Sequence, residues 1–100
     1  MSAPRMRLIL SPEAETDLED TLLYTEQQYG AQQRERYRDR LAEVLTLLSE
    51  HPHMGSPRDE LPAHYRVFPV EQHRIIFFVT EDAVNVLRIL HRSRDILRHI

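Results

Sequence analysis

The polar and apolar positions of this chain change period as it runs. Met6-Arg7-Leu8-Ile9-Leu10, entered from about Arg5, is a short apolar run of strand type. Ser11-Pro12 then starts a helix: serine caps the first free N–H groups, and proline fits the first helical position because its missing N–H costs nothing there. Ala14, Leu18, Leu22, Thr25 and Tyr29 follow in steps of four and three, one face of a first helix. Gly30 ends it as a C′ residue. A second helix is predicted over about Ala31 to Glu50, with Tyr37, Leu41, Val44, Leu45 and Leu48 as its apolar stripe. A one-glycine joint makes the two an antiparallel hairpin, with acids of the first facing arginines of the second.

Period 2 returns after the loop His51 to Ala63, whose three prolines and one glycine exclude helix and strand. Tyr65-Arg66-Val67-Phe68 reads as a strand ended or edged by Pro69, which has no N–H to donate. Glu71-Gln72 is a turn, and His73 to Thr80 is a central strand around Ile75-Ile76-Phe77-Phe78-Val79. Glu81-Asp82 turns the chain back into Val84-Asn85-Val86-Leu87-Arg88-Ile89-Leu90, which becomes basic at His91-Arg92-Ser93-Arg94. Ile96, Leu97 and Ile100 give the tail something to bury. The reading is a single α+β domain over residues 1–100, of order β-α-α-β-β-β. Its antiparallel sheet carries an N-terminal helical hairpin packed on one face.

A burial problem follows. Strict alternation sends Ile75, Phe77 and Val79 to one face and Ile76 and Phe78 to the other. It likewise separates Val86 and Leu90 from Leu87 and Ile89. A helix pair covers one face only, so large apolar side chains on the other need a cover. The short tail, a second copy or a partner protein can supply it, and a partner is the expectation. Alternation also sets Arg88 beside Val84, Val86 and Leu90. A guanidinium there needs a carboxylate, a carbonyl or an anion. Asp95 or an acidic helix residue would make it a structural ion pair; otherwise it serves a site directly.

Charge sharpens the picture. The formal net charge is −3, against broad nucleic-acid affinity. All 13 basic residues are arginines, so no tunable lysine exists. Residues 12–29 carry six acids and no base, while residues 84–100 carry four arginines against Asp95, so an acidic and a basic side are expected. No cysteine is present, which removes disulfides and thiolate metal sites. His51 and His53 have no third ligand in register, so no metal or other cofactor is expected. No apolar run approaches the roughly 20 residues of a membrane helix, and Met1 to Arg7 lacks a signal-peptide core. The expected compartment is the cytoplasm.

Nucleophilic and phosphate-loop chemistry lack their motifs. One constellation suits phosphodiester chemistry: Arg66, Arg88, His91, Arg92 and Arg94, with arginines for phosphate and a histidine for proton transfer. Tyr65 beside Arg66 has the form of a stacking-plus-charge pair.

The chain resembles the ParE-type toxins of the RelE/ParE toxin–antitoxin superfamily. The matching parts are Leu10-Ser11-Pro12-Glu13-Ala14-Glu15-x-Asp17-Leu18, Tyr29-Gly30, His51-Pro52-x-x-Gly55, Arg58-Asp59-Glu60-Leu61, Tyr65-Arg66-x-Phe68-Pro69-Val70, His73-x-Ile75-x-Phe77 and Val86-Leu87-Arg88-Ile89-Leu90-His91-x-x-Arg94-Asp95. The resemblance implies a ParD-like antitoxin that wraps the toxin, and DNA gyrase as the target, poisoned by binding without catalysis. RelE-type relatives instead cut mRNA on the ribosome. Their lysines and C-terminal tyrosine have no counterpart here, so that alternative rests on Arg66, Arg88 and His91. On the resemblance, the target-facing surface is expected at Arg88, His91, Arg92, Arg94 and the tail to Ile100. The antitoxin is expected at a hairpin groove of Leu18, Leu22, Tyr37 and Leu41 and along the exposed sheet edge.

Overall fold

The computed structural model describes residues 6–100; the expected strand start at Arg5 and most of the Met1–Arg7 segment lie outside them. Strand β1 (Arg7–Leu10) leads into helix α1 (Pro12–Tyr29) and helix α2 (Ala31–Glu50). Strands β2 (Ser56–Pro57), β3 (Tyr65–Val70), β4 (His73–Val79) and β5 (Ala83–His91) follow, then a 3₁₀ turn at Ile96–Arg98. Ser11 caps α1 as its sequence position requires, its Oγ accepting from the Ala14 N–H at 3.0 Å. Gly30 joins the helices at φ 93° and ψ 171°, a backbone state essentially confined to glycine, so the helices reverse direction within one residue. Glu26 of α1 meets Arg34 of α2 at 3.5 Å across that joint.

The α+β expectation holds, with two corrections. The sheet order is β1-β5-β4-β3-β2, and β1 runs parallel to β5, so the sheet is mixed rather than antiparallel. The long connection through the helical hairpin and three strands is what permits a parallel pair. The proline-rich loop also contains a strand after all: Ser56 and Pro57 pair with Val67 and Arg66. Two residues on a sheet edge tolerate a proline because its outer side needs no ladder bond. Gly55 just before them is crowded, since a Cβ there would lie 2.7 Å from the Phe77 ring. Pro69 sits where β2 no longer runs beside β3, the edge position expected of it.

The stripe of α2 is buried as read: Tyr37, Leu41, Val44, Leu45 and Leu48. With Ala14 it packs on Val70, Ile75, Phe77, Val84, Val86 and Ile89 of the sheet. The predicted α1 face stops at Thr25, because Tyr29 is 70% exposed.

The second face of the sheet corrects the burial argument. Leu61 from the loop and Ile96 from the tail close over Val67, Ile76 and Leu90, with Tyr65 and Leu87 at the margin. Ile76 has no exposure and Ile96 only 4%. The chain therefore shields this face itself and needs no partner for that purpose. Alternation misled because β5 contains an irregularity: Ile76 pairs with Arg88 but Phe77 with Val86, leaving Leu87 as an extra residue. A bulge shifts the phase of everything after it. Ile89 thus joins Val84 and Val86 on the helix side, while Arg88 and Leu90 share the other face with Ile76.

Ile96 is the tail residue that closes the second core. Ile96→Ala is expected to lower unfolding free energy by about 2–4 kcal/mol in urea denaturation, the range for emptying a buried aliphatic site. A change within experimental error would show that the tail does not contribute to this core.

Candidate functional site

The site is built around the far end of β5. Beyond Leu10, β1 stops, and the start of α1 takes over the open edge of β5. The Ser11 N–H donates to the Val86 carbonyl at 2.9 Å, and its Oγ donates to the Leu87 carbonyl at 2.7 Å. Two turns on, Asp17 accepts the Ile89 N–H at 3.0 Å. The same carboxylate takes a two-point fork from Arg88, Nε to Oδ2 at 2.7 Å and Nη2 to Oδ1 at 2.8 Å. Arg88 Nη1 donates to the His99 carbonyl at 2.9 Å. The side chains are 20% and 13% exposed. The hydrogen bond that Arg88 donates to Asp17 is the main cause holding the Arg88 pKa above its ordinary value. The structural ion pair weighed from the sequence is therefore made, with the helix acid and not Asp95. Asp17 of the acidic stretch and Arg88 of the basic one thus meet at the edge of β5.

Beside this knot lies a cleft of about 750 Å³ between the hairpin joint and the ends of β4 and β5. His73 forms one wall, half-buried. Its Nδ1 is 2.6 Å from the Tyr37 hydroxyl, its Nε2 is 3.3 Å from Thr21 Oγ1, and the Tyr37 hydroxyl reaches the Val70 carbonyl at 3.2 Å. A neutral imidazole protonated on Nδ1 serves all three contacts: Thr21 donates to His73, His73 to Tyr37, Tyr37 to Val70. Burial, with a smaller push from His91, lowers the His73 pKa to about 4; Asp17 and Glu71 oppose this weakly. Burial, reinforced by Glu71, raises the Tyr37 hydroxyl to about 12. Neither is poised for proton transfer near neutral pH.

At the mouth, His91 stacks edge-on to His73 with centroids 5.4 Å apart. Its Nδ1 accepts the Ser93 N–H at 3.1 Å and touches Ser93 Oγ at 2.7 Å. The Arg92 and Arg94 side chains are exposed, and neither makes an ion pair among the described residues. Arg74 reaches across from β4, Nη2 donating to the carbonyls of Arg92 at 2.9 Å and Arg94 at 2.7 Å.

The sequence-predicted residues separate into groups. Arg88, His91 and Arg94 line the cleft; Arg66 does not. Arg66 ties the proline-rich loop to β3, its Nη2 donating to the carbonyls of Gly55 and, at 3.1 Å, His53. On the sheet it lies four ladder positions and two strands from His91, roughly 16 Å by standard strand spacings. The phosphodiester constellation is thus not convergent. His51 and His53 are exposed, and no cluster of three metal-binding side chains exists among the described residues.

Of the expected antitoxin groove, Leu41 and Tyr37 are only 1% and 6% exposed: Leu41 fills the core beneath the hairpin, and Tyr37 is buried beside it while also lining the cleft. Leu18 and Leu22 are half-buried, and the large apolar residues left outside are Leu23, Tyr24 and Tyr29 of α1, Leu8 and Ile9 of β1, and Leu97 and Ile100 of the tail. Sequence reasoning missed His73, Thr21 and Arg74. One signal was available: a tyrosine on the apolar stripe of α2 must find a partner for its hydroxyl.

A family model described as the ParE toxin of the type II toxin–antitoxin system, parDE, matches residues 8–96. The chain is 34% identical to Toxin ParE1 of Caulobacter vibrioides over 91 residues, covering 91% of this chain and 94% of that one. It is 30% identical to Toxin ParE1 of Mycobacterium tuberculosis, covering 94% and 97%. Among solved structures, a chain of the chromosomal ParDE system from P. aeruginosa superposes with a TM-score of 0.74 at 19% identity, covering 87% and 96%. No helix of the described residues is long and apolar enough to cross a membrane.

Arg88→Met is expected to cost about 3 kcal/mol in urea denaturation, because Asp17 is left as a half-buried carboxylate with one backbone donor. An unchanged midpoint would show that the fork is not structural. His73 sets a pH dependence of definite sign. Its folded pKa of about 4 lies below the ordinary 6.5, so the unfolded chain binds the extra proton. Its contribution is complete above about pH 6.5 and is lost as pH falls toward about 4. His73→Gln is expected to flatten that part of the stability profile, read as urea midpoints across the interval.

Proposed function

Because the chain belongs to the ParE family of type II toxin–antitoxin toxins, we propose that it poisons DNA gyrase by binding, without chemistry of its own, and that a ParD-like antitoxin neutralises it in the cytoplasm. Gyrase is the target that the ParE resemblance implies. One observation carries the choice of binding over catalysis: Arg66 and Arg88, two of the three residues on which the RNase reading rests, are occupied within the fold. Arg88 spends its donors on Asp17 and the tail, and Arg66 spends its Nη2 on loop carbonyls. What remains free to meet a target is His91, Arg92 and Arg94, displayed at the end of β5. For the antitoxin, the available surface is the outside of α1 at Leu23, Tyr24 and Tyr29, together with Leu8 and Ile9 of β1. The ribosome-dependent mRNA endonuclease reading, with Arg66, Arg88 and His91 as its site, is disfavoured by the distance of Arg66 from the cleft.

Purified toxin is expected to inhibit gyrase supercoiling and accumulate cleaved DNA–gyrase complexes. Arg92→Glu combined with Arg94→Glu should weaken inhibition by roughly tenfold or more while the melting curve is preserved, since only the backbones of these residues make internal contacts. Cuts in ribosome-bound mRNA that disappear in His91→Ala, with gyrase unaffected, would overturn the reading.

A further inference from the structure

Arg74 was not singled out by the sequence, and its bonding is unusual. It is a half-buried arginine on β4 whose hydrogen bonds go to two carbonyls and to no carboxylate. Its Nε is buried without a partner. The carboxylate that registers its charge, Glu60, is already held by Arg58 at 2.8 Å. Those two carbonyls belong to Arg92 and Arg94. The segment is pinned further by the Arg92 N–H to the Gln72 carbonyl at 2.7 Å and the Arg94 N–H to the His91 carbonyl at 2.9 Å. The nearest acid in sequence, Asp95, caps the 3₁₀ turn and faces Arg98 at 3.8 Å. Arg74 therefore holds the backbone of two exposed arginines whose own guanidinium groups make no ion pair among the described residues. An exposed guanidinium without an internal partner, carried on a backbone held in place, is ready to take a carboxylate from outside.

We infer that the Arg74–Arg92–Arg94 corner is a docking surface for a carboxylate-rich protein segment, with Arg74 as the positioning residue that holds Arg92 and Arg94 in place. A protein segment fits better than nucleic acid because the acidic face of α1 lies against the same edge. Asp17 and Asp20 line the same cleft as Arg94, within the reach of screened charge interactions. A long polyanion such as DNA would run into that field, whereas a local cluster of carboxylates meets only the corner. Exposed arginines engage carboxylates in two-point geometry, and holding their backbone reduces the ordering cost of doing so. The inference deepens the proposed function by giving the class of surface recognised on the target, and it rests on that reading only for the target's identity.

The test uses the full chain and three probes: gyrase subunits free of DNA, a short fluorescein-labelled glutamate-rich peptide, and a labelled DNA duplex of matched charge. Wild type should bind both protein probes more tightly than the duplex, with affinity falling as salt rises. The double charge reversal Arg92→Glu with Arg94→Glu should lose roughly tenfold or more on both. Arg74→Lys keeps the charge but not the two-carbonyl grip. It should weaken binding several-fold with the salt slope unchanged, a separation that general unfolding would not produce. Tighter binding to the duplex, or corner variants that bind like wild type, overturns the inference even if gyrase is inhibited. Arginine-dependent binding of the peptide with no binding to gyrase upholds it and removes the gyrase reading instead.

Discussion

The fold turns on the fork between Arg88 and Asp17, residues 71 positions apart. It resolves the hardest problem in the chain, an arginine placed in the middle of an otherwise apolar strand. Paired and mostly dehydrated, such a charge is tolerable; unpaired, it would cost more than most single contacts contribute. The pair also does geometric duty. Asp17 accepts the Ile89 N–H as well, so α1 caps the part of β5 that β1 leaves open. Arg88 reaches on to the His99 carbonyl and so draws the tail toward the same edge. Helix, strand and tail are located by one side-chain contact.

That arrangement explains how so short a chain keeps both faces of its sheet dry. The helical hairpin covers one face by its heptad-like stripe. The other is covered by single residues from irregular segments, Leu61 and Ile96, held in place by backbone turns and by the Arg88 tether. The apolar surface that remains is on the outer side of α1, along β1 and at Leu97 and Ile100 of the tail. That surface is left over once the chain has folded and is not a condition of its folding.

The arginines divide by what they do rather than by where they fall in the sequence. Arg66 and Arg88 are tied to carbonyls and a carboxylate within the chain and serve architecture. Arg92 and Arg94 contribute only backbone atoms to the fold and leave their charges outside. Arg74 bridges the classes, using its own charge to hold the backbone of the exposed pair. The His73–Tyr37–Thr21 chain is a polar counterpart of the Arg88 knot, joining both helices to β4 through a neutral imidazole.

Much was legible in the residues alone. The Ser11-Pro12 start, the Gly30 joint, the α2 stripe and the β4 run are local signals, set by capping, backbone freedom and periodicity, and each lies where it was read. The family motifs were legible for the same reason. Alternation along β5 failed because one extra residue at Leu87 reverses the phase, and a bulge has no reliable local signature. The parallel pairing of β1, the strand at Ser56–Pro57 and the burial of Ile96 depend on partners far away in sequence. The partner of Arg88 was undecidable among the acids of the chain until folding chose Asp17. Helix and strand identities follow from neighbours a few positions apart; which face a residue joins, and which charges stay free, follow from contacts that only the folded chain makes.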